Sequence, residues 1–161
     1  MATSTQTVLV TPAFEPEHIE QARQLFLEYA HSLGFSLCFQ NFEQELKDLP
    51  GSYAPPSGRL LLAYAADLAA GCVALHKLEE GGCEMKRLYV RPAHRGKGIG
   101  ALLVDRVIAE ARAIGYDQMR LDTIASSMQS AIALYRRVGF REIPAYCANP
   151  MPEALYMELA L

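Results

Sequence analysis

Arg95-Gly96-Lys97-Gly98-Ile99-Gly100 interleaves three glycines with two cations, just after the apolar run Leu88-Tyr89-Val90 and just before a long amphipathic stretch. Glycine has no Cβ and takes φ > 0 without penalty, so such a loop can turn its amides inward. Amides at a helix N-terminus lack intrahelical partners and sit at the positive end of the macrodipole. Arg95 and Lys97 add formal charge, so the chemistry on offer is capture of a phosphate or pyrophosphate. Two common phosphate motifs do not fit. A P-loop needs Ser or Thr after Gly-Lys, and a dinucleotide fingerprint needs G-x-G-x-x-G directly after a strand. Here the spacing is G-x-G-x-G, and Pro92 intervenes.

The surrounding elements must present that loop at the end of a strand. Thr7 to Thr11 reads as a short strand, and Glu15 to Leu33 as a helix with Ile19, Ala22, Leu25, Phe26, Tyr29 and Leu33 at three- and four-residue steps. Pro16 suits its first turn and Gly34 its stop. Asn41 to Leu49 reads as a shorter helix capped by Asn41, followed by a stiff Pro-rich loop over residues 50–58. Strands are expected over Arg59 to Ala65, Gly71 to Leu78 and Cys83 to Val90, with Asp67-Leu68-Ala69-Ala70 and Glu79-Glu80-Gly81-Gly82 as the connections of an antiparallel meander. Gly98 to Ile114 reads as a helix with a buried stripe of Ile99, Leu103, Val107, Ala111 and Ile114, closed by Gly115. A strand over Gln118 to Thr123, a helix over Met128 to Val138 ending at Gly139, and strands over Phe140 to Ile143 and Ala154 to Leu161 complete the chain. The strand–helix–strand passage from Cys83 to Thr123 implies one parallel pair in an otherwise antiparallel sheet.

The bulk properties narrow the classes. The chain has 161 residues, 51% hydrophobic and 20% charged, with a net charge of −3. That suits one domain, residues 1–161, with a full core, and gives no general attraction to nucleic acid. No apolar run approaches the roughly 20 residues of a bilayer span. The polar stretch Met1 to Thr7 carries no basic region ahead of an apolar one, so no secretory leader is expected. Cys38, Cys72, Cys83 and Cys147 include no C-x-x-C pair and read as small buried hydrophobes of a reduced cytoplasmic protein, not as metal ligands or nucleophiles.

A second motif follows the second core strand: Ala131-Ile132-Ala133-Leu134-Tyr135-Arg136-Arg137-Val138-Gly139-Phe140. Together with R-x-x-G-x-G at Arg95, Gly98 and Gly100, and with the element order, this A-x-x-L-Y-x-x-x-G-F run resembles the GNAT family of acyl-CoA-dependent N-acyltransferases over nearly the whole chain. The resemblance implies an α/β (α+β) GNAT fold. Its mixed, mostly antiparallel sheet has about seven strands, helices on both faces and one parallel pair at the cofactor site. It implies acetyl-CoA as co-substrate, with its pyrophosphate on Arg95, Gly96, Lys97, Gly98, Ile99 and Gly100. Leu88, Tyr89 and Val90 would pair their backbone with the pantetheine arm, and the Leu88 N–H is the candidate oxyanion donor. One departure stands out: many relatives carry Asn three residues before Ala131, where this chain has Met128, with Ser126, Ser127 and Gln129 nearby as polar substitutes.

By the same resemblance Tyr135 lies near the CoA sulfur and protonates the departing thiolate; a phenol, with a reference pKa of about 10, arrives at that step protonated. Glu84 is the candidate general base, on the strand entering the loop. Its competing reading is a strand glutamate paired with Lys86 or Lys77, and His76 or water could take the proton instead. The acceptor pocket would be built from Phe35, Ser36, Leu37, Phe39 and Gln40, with Tyr146 and Asn149 from the Pro-rich loop, and Tyr53 nearby. The expected activity is therefore acetyl transfer to a primary amine of a small molecule, through a ternary complex, without nucleic acid, membrane or metal; a homodimer stays open. Two other readings are a non-catalytic acyl-CoA sensor and a protein N-acetyltransferase. An intact Tyr135 favours an enzyme, and the Pro-rich segments near Tyr53 and Asn149 read as pocket walls.

Overall fold

The structure is a computed structural model that describes residues 6–34, 37, 41–79, 81–126 and 128–161. Strand β1 (Val8–Pro12) leads to helices α1 (Pro16–Ser32) and α2 (Phe42–Asp48). Strands β2 (Arg59–Ala65), β3 (Leu68–Lys77) and β4 (Cys83–Val90) follow, then α3 (Ile99–Ile114), β5 (Gln118–Ile124), α4 (Gln129–Val138), β6 (Arg141–Ile143) and β7 (Ala154–Ala160). One seven-stranded sheet runs in the order β1-β2-β3-β4-β5-β7-β6. Every neighbouring pair is antiparallel except β4 and β5, which α3 separates in sequence. A parallel pair needs such a crossover, because no tight turn can join the far ends of two strands.

Period-2 alternation gives the sheet two apolar faces. On one, Leu61, Val73, Leu75, Met85, Met119 and Leu121 meet Ile99, Leu103, Val104, Val107 and Ala111 of α3 and Tyr135 of α4. On the other, Leu60, Leu62, Cys72, Ala74 and Tyr89 meet Ala22, Leu25 and Phe26 of α1 and Phe42 of α2. Each fully buried Leu or Phe contributes about 1.5–3 kcal/mol, so both helix layers are held on the sheet chiefly by this contact.

Four local expectations change. Asn41 precedes α2 but does not cap it with its side chain; it sits at φ 56°, in the left-handed region. In that conformation its contribution is backbone, its carbonyl accepting from the Glu45 N–H. β3 starts at Leu68, not Gly71, because Ala65 pairs with Leu68 across a two-residue turn at Ala66-Asp67; ladder bonds use backbone groups, so small alanines extend the strand. The buried stripe of α3 is wider than expected, adding Val104 and Ile108, while Ile114 is only partly buried at the helix end. Cys72 and Cys83 are buried, but Cys147 is exposed in the loop before β7; Cys38 lies outside the described residues.

Candidate active site

The parallel ladder is short. Cys83 pairs with Met119 and Glu84 with Arg120, and registered pairing stops there. From Met85 to Val90 the β5-facing edge of β4 has no strand partner, and the two strands enclose a cavity of about 760 Å³. Leu88, Tyr89 and Val90 line one side and Leu121, Asp122, Thr123 and Ile124 the other. A local distortion helps to aim β4. Its register against β3 shifts between Cys72 and Ala74, and Arg87 opposite takes φ 62°. A non-glycine residue in that region costs about 1–2 kcal/mol. The surroundings hold it there: the Arg87 side chain, 2% exposed, donates from Nε and Nη2 to the two carboxylate oxygens of Glu45, both at 2.9 Å. Leaving the Arg87 charge buried without Glu45 would cost about 3–5 kcal/mol, so the pair fixes the side chain in place while the strained backbone persists.

At the far end of the cavity stands the glycine loop. Gly96 and Gly98 have φ 77° and 79°, and a Cβ built on either would meet no protein atom within 4 Å. Gly98 is the residue that starts α3, so the open space beside it lies at the helix N-terminus. Arg95 donates from Nε to the Val90 carbonyl at 2.9 Å and stacks its guanidinium 5.8 Å from the Tyr89 ring centre. Arg95, Gly96, Gly98, Ile99, Gly100 and Tyr135 all line the cavity with Leu88, Tyr89 and Val90; Lys97 does not. Lys97 is exposed. Tyr135 projects from α4 with its ring 5.7 Å from Phe140. Burial pushes its phenol well above the ordinary value, so the hydroxyl stays protonated. Where relatives carry Asn, Met128 precedes α4 and its sulfur accepts from Thr123 Oγ1 at 3.0 Å. Ser126, Gln129 and Ser130 supply polar atoms to the same wall; Ser127 lies outside the described residues.

The base expected at Glu84 is differently placed. Glu84 is 5% exposed and is not on the cavity wall. Its Oε1 bonds His76 Nε2 at 2.7 Å, its Oε2 accepts from the Tyr146 hydroxyl at 2.6 Å, and Lys86 Nζ lies 3.7 Å away. Burial pushes this carboxyl up, but the His76 bond, the Lys86 charge and the Tyr146 bond together outweigh it and bring the pKa down to about 2. A carboxylate held so low and so fully bonded is a weak proton acceptor. Tyr146 likewise does not line the cavity; its hydroxyl is taken by Glu84, and its ring packs against Tyr156 and Arg120. Tyr53 is core, edge-on to Phe26 and His76. Phe35, Phe39 and Gln40 lie outside the described residues, whereas Leu37 and Asn149 do line the cavity.

The Glu84 contacts have a measurable consequence. A carboxyl with a depressed folded-state pKa stabilises the fold above its unfolded pKa, and that stability is lost as pH falls through the folded one. From the ordinary 4.5 down to about 2, the wild type should lose roughly 3 kcal/mol to this group. Denaturant unfolding of Glu84→Gln across the same window should show a shallower acid limb; an unchanged limb would refute the assigned contacts.

Sequence reasoning missed Asp122, Lys86 and Tyr29 as wall residues and Arg87–Glu45 as their support. A signal for Asp122 was present: Arg120 and Asp122 alternate with Met119 and Leu121, which places both on one face. Also unforeseen is Arg91, whose guanidinium grips Glu28 of α1 with Nη2 to Oε2 at 2.7 Å, tying α1 to the end of β4.

The model of the acetyltransferase (GNAT) family matches residues 17–140. The chain belongs to this family. An uncharacterised N-acetyltransferase of Schizosaccharomyces pombe is 40% identical over 148 residues, covering 91% of this chain and 90% of that one. The IAA acetyltransferase of Azospirillum brasilense is 39% identical over 110 residues, covering 67% of this chain and 71% of that one. A GNAT-family acetyltransferase from Staphylococcus aureus shares the fold with a TM-score of 0.78 at 19% identity, covering 96% of this chain and 99% of that one. So does a PaiA N-acetyltransferase from Thermoplasma acidophilum solved with coenzyme A, with a TM-score of 0.73 at 17% identity over 96% and 99% of the two chains. The protein is thus a GNAT acetyltransferase. Among the described residues, no helix is long and apolar enough to cross a membrane.

Proposed function

We propose that this GNAT protein, acting as a single domain, transfers the acetyl group of acetyl-CoA to the amine of a small molecule by direct attack in a ternary complex. One observation carries the reading. The unpaired edge of β4, the glycine loop at the start of α3 and the Tyr135 phenol all open onto one cavity. A donor of the length of acetyl-CoA can lie along all three. In this reading the amides around Gly96 to Gly100, with Arg95, hold the pyrophosphate, and Lys97 contributes only charge from outside. The Leu88–Val90 edge pairs with the pantetheine arm, and the Leu88 N–H meets the oxyanion. Tyr135 gives its proton to the leaving thiolate. The ammonium proton passes to water, since Glu84, bonded to His76 and Tyr146, lies off the cavity wall. Buried free thiols at Cys72 and Cys83 suit a cytoplasmic setting.

The experiment is a thermal-shift titration paired with a thiol-release assay over a panel of amines. Acetyl-CoA, unlike NAD or ATP, should raise the melting temperature, and at least one amine should release free CoA. A shift without turnover by any amine would favour a sensor; no shift would end the reading.

A further inference from the structure

The half of the cavity away from the glycine loop carries a lysine with only a long ion-pair contact and a carboxylate with no cationic partner among the described residues, on neighbouring strands. Glu84 and Arg120 are register partners across the parallel pair, so Lys86 and Asp122, two residues further along each strand, stand abreast where the strands part. Both lie on the α1 face, since Glu84 and Arg120 meet the same Tyr146 and side chains alternate along a strand. Both line the cavity. Asp122 is the one carboxylate among the described lining residues. Asn149 Nδ2 donates to its Oδ2 at 3.0 Å, and Asn149 Oδ1 is in turn fixed by the Met151 N–H at 2.9 Å. Among the described residues no cation pairs with Asp122. Lys86 keeps only the 3.7 Å contact to Glu84, the longest of that carboxylate's three, although its side chain is 16% exposed. The other cations are occupied: Arg87 by Glu45, and Arg95 by the Val90 carbonyl at the loop end.

We propose that Lys86 and Asp122 form the acceptor subsite and that the acceptor is a zwitterion, an amino acid or a close analogue, with its ammonium at Asp122 and its carboxylate at Lys86. This rests on the acetyl-transfer reading above. Lys86 and Asp122 sit on neighbouring strands, about 4.8 Å apart where strands pair, so one small molecule carrying both charges can address the two side chains. Lys86 has only the 3.7 Å contact to Glu84, a carboxylate already held by His76 and Tyr146, and Asp122 has no cation among the described residues, so a zwitterion would give each an opposite charge at once. Asn149 is a positioning residue that aims Asp122. The ammonium loses a proton to water, and the amine lone pair forms the C–N bond to the thioester carbonyl. The C–S bond then breaks, the thiolate takes the Tyr135 proton, and the second proton of the new amide nitrogen leaves through water and restores the phenol. The products are an N-acetyl amino acid, free CoA and one proton.

The test pairs each amino acid with its decarboxylated amine, for example histidine with histamine and phenylalanine with phenethylamine, in the thiol-release assay. The carboxylated member should be the better acceptor. Lys86→Met should lower kcat/KM for carboxylated acceptors by about 10–100-fold, mainly through KM, and leave their decarboxylated partners nearly unchanged; Lys86→Arg should restore most of the loss. Asp122→Asn should weaken both members alike. Acetyl-CoA thermal shifts on every variant verify folding and test the donor reading separately. Preference for carboxylate-free amines, no turnover of any amino acid, or an equal loss for both members in Lys86→Met would each overturn the proposal.

Discussion

Tyr135→Phe is expected to lower kcat by about 10²–10⁴-fold, the usual contribution of a positioned general acid. The substitution keeps the ring and its packing on Phe140 and removes only the hydroxyl. Burial raises the phenol's pKa, so its proton is present at neutral pH. The same surroundings disfavour a free thiolate and so make the departing sulfur take that proton. Loss confined to kcat, with acetyl-CoA binding nearly unchanged by calorimetry, marks an interaction made in the transition state. A variant with wild-type kcat would reduce Tyr135 to a packing residue and leave water as the proton source.

Gly98→Leu should abolish acetyl-CoA binding. At a hundredfold excess over Kd, a ligand that binds only the folded state adds about 2.7 kcal/mol, or on the order of 5–10 °C in Tm for a chain of this size. The substitution acts in two separable ways. Gly98 has φ 79°, so any Cβ costs about 1–2 kcal/mol of backbone strain, which lowers the Tm of the free protein. No protein atom lies within 4 Å of that Cβ, so the fold tolerates the side chain, which projects into the space beside the loop. Gly98→Ala carries the strain with little bulk and should keep part of the shift. A full shift in Gly98→Leu would move the pyrophosphate away from the loop.

What could be read along the chain is what is encoded by neighbours in sequence. The glycine loop, the L-Y-x-x-x-G-F helix end and the periodicities of α1, α3 and α4 depend on residues within a few positions of one another. The single parallel pair followed from the strand–helix–strand order between Cys83 and Thr123. The proposed cofactor half of the site could be read for that reason, since one strand, one loop and one helix start would supply it consecutively. The acceptor half joins residues distant in sequence. For Glu84 the sequence offered a general base or a pair with Lys86 or Lys77; the Lys86 contact is present, but His76 and Tyr146, which saturate the carboxylate, arrive from β3 and from the loop before β7. Asp122 carried no motif; it became a wall residue only because β4 and β5 stop pairing after Glu84 and Arg120. That parting, the left-handed turn at Arg87 and the Glu45 carboxylate that holds it were decided by packing. Local propensity cannot report a strained turn whose side chain is fixed by a contact 42 residues away, so these features belong to the tertiary structure alone.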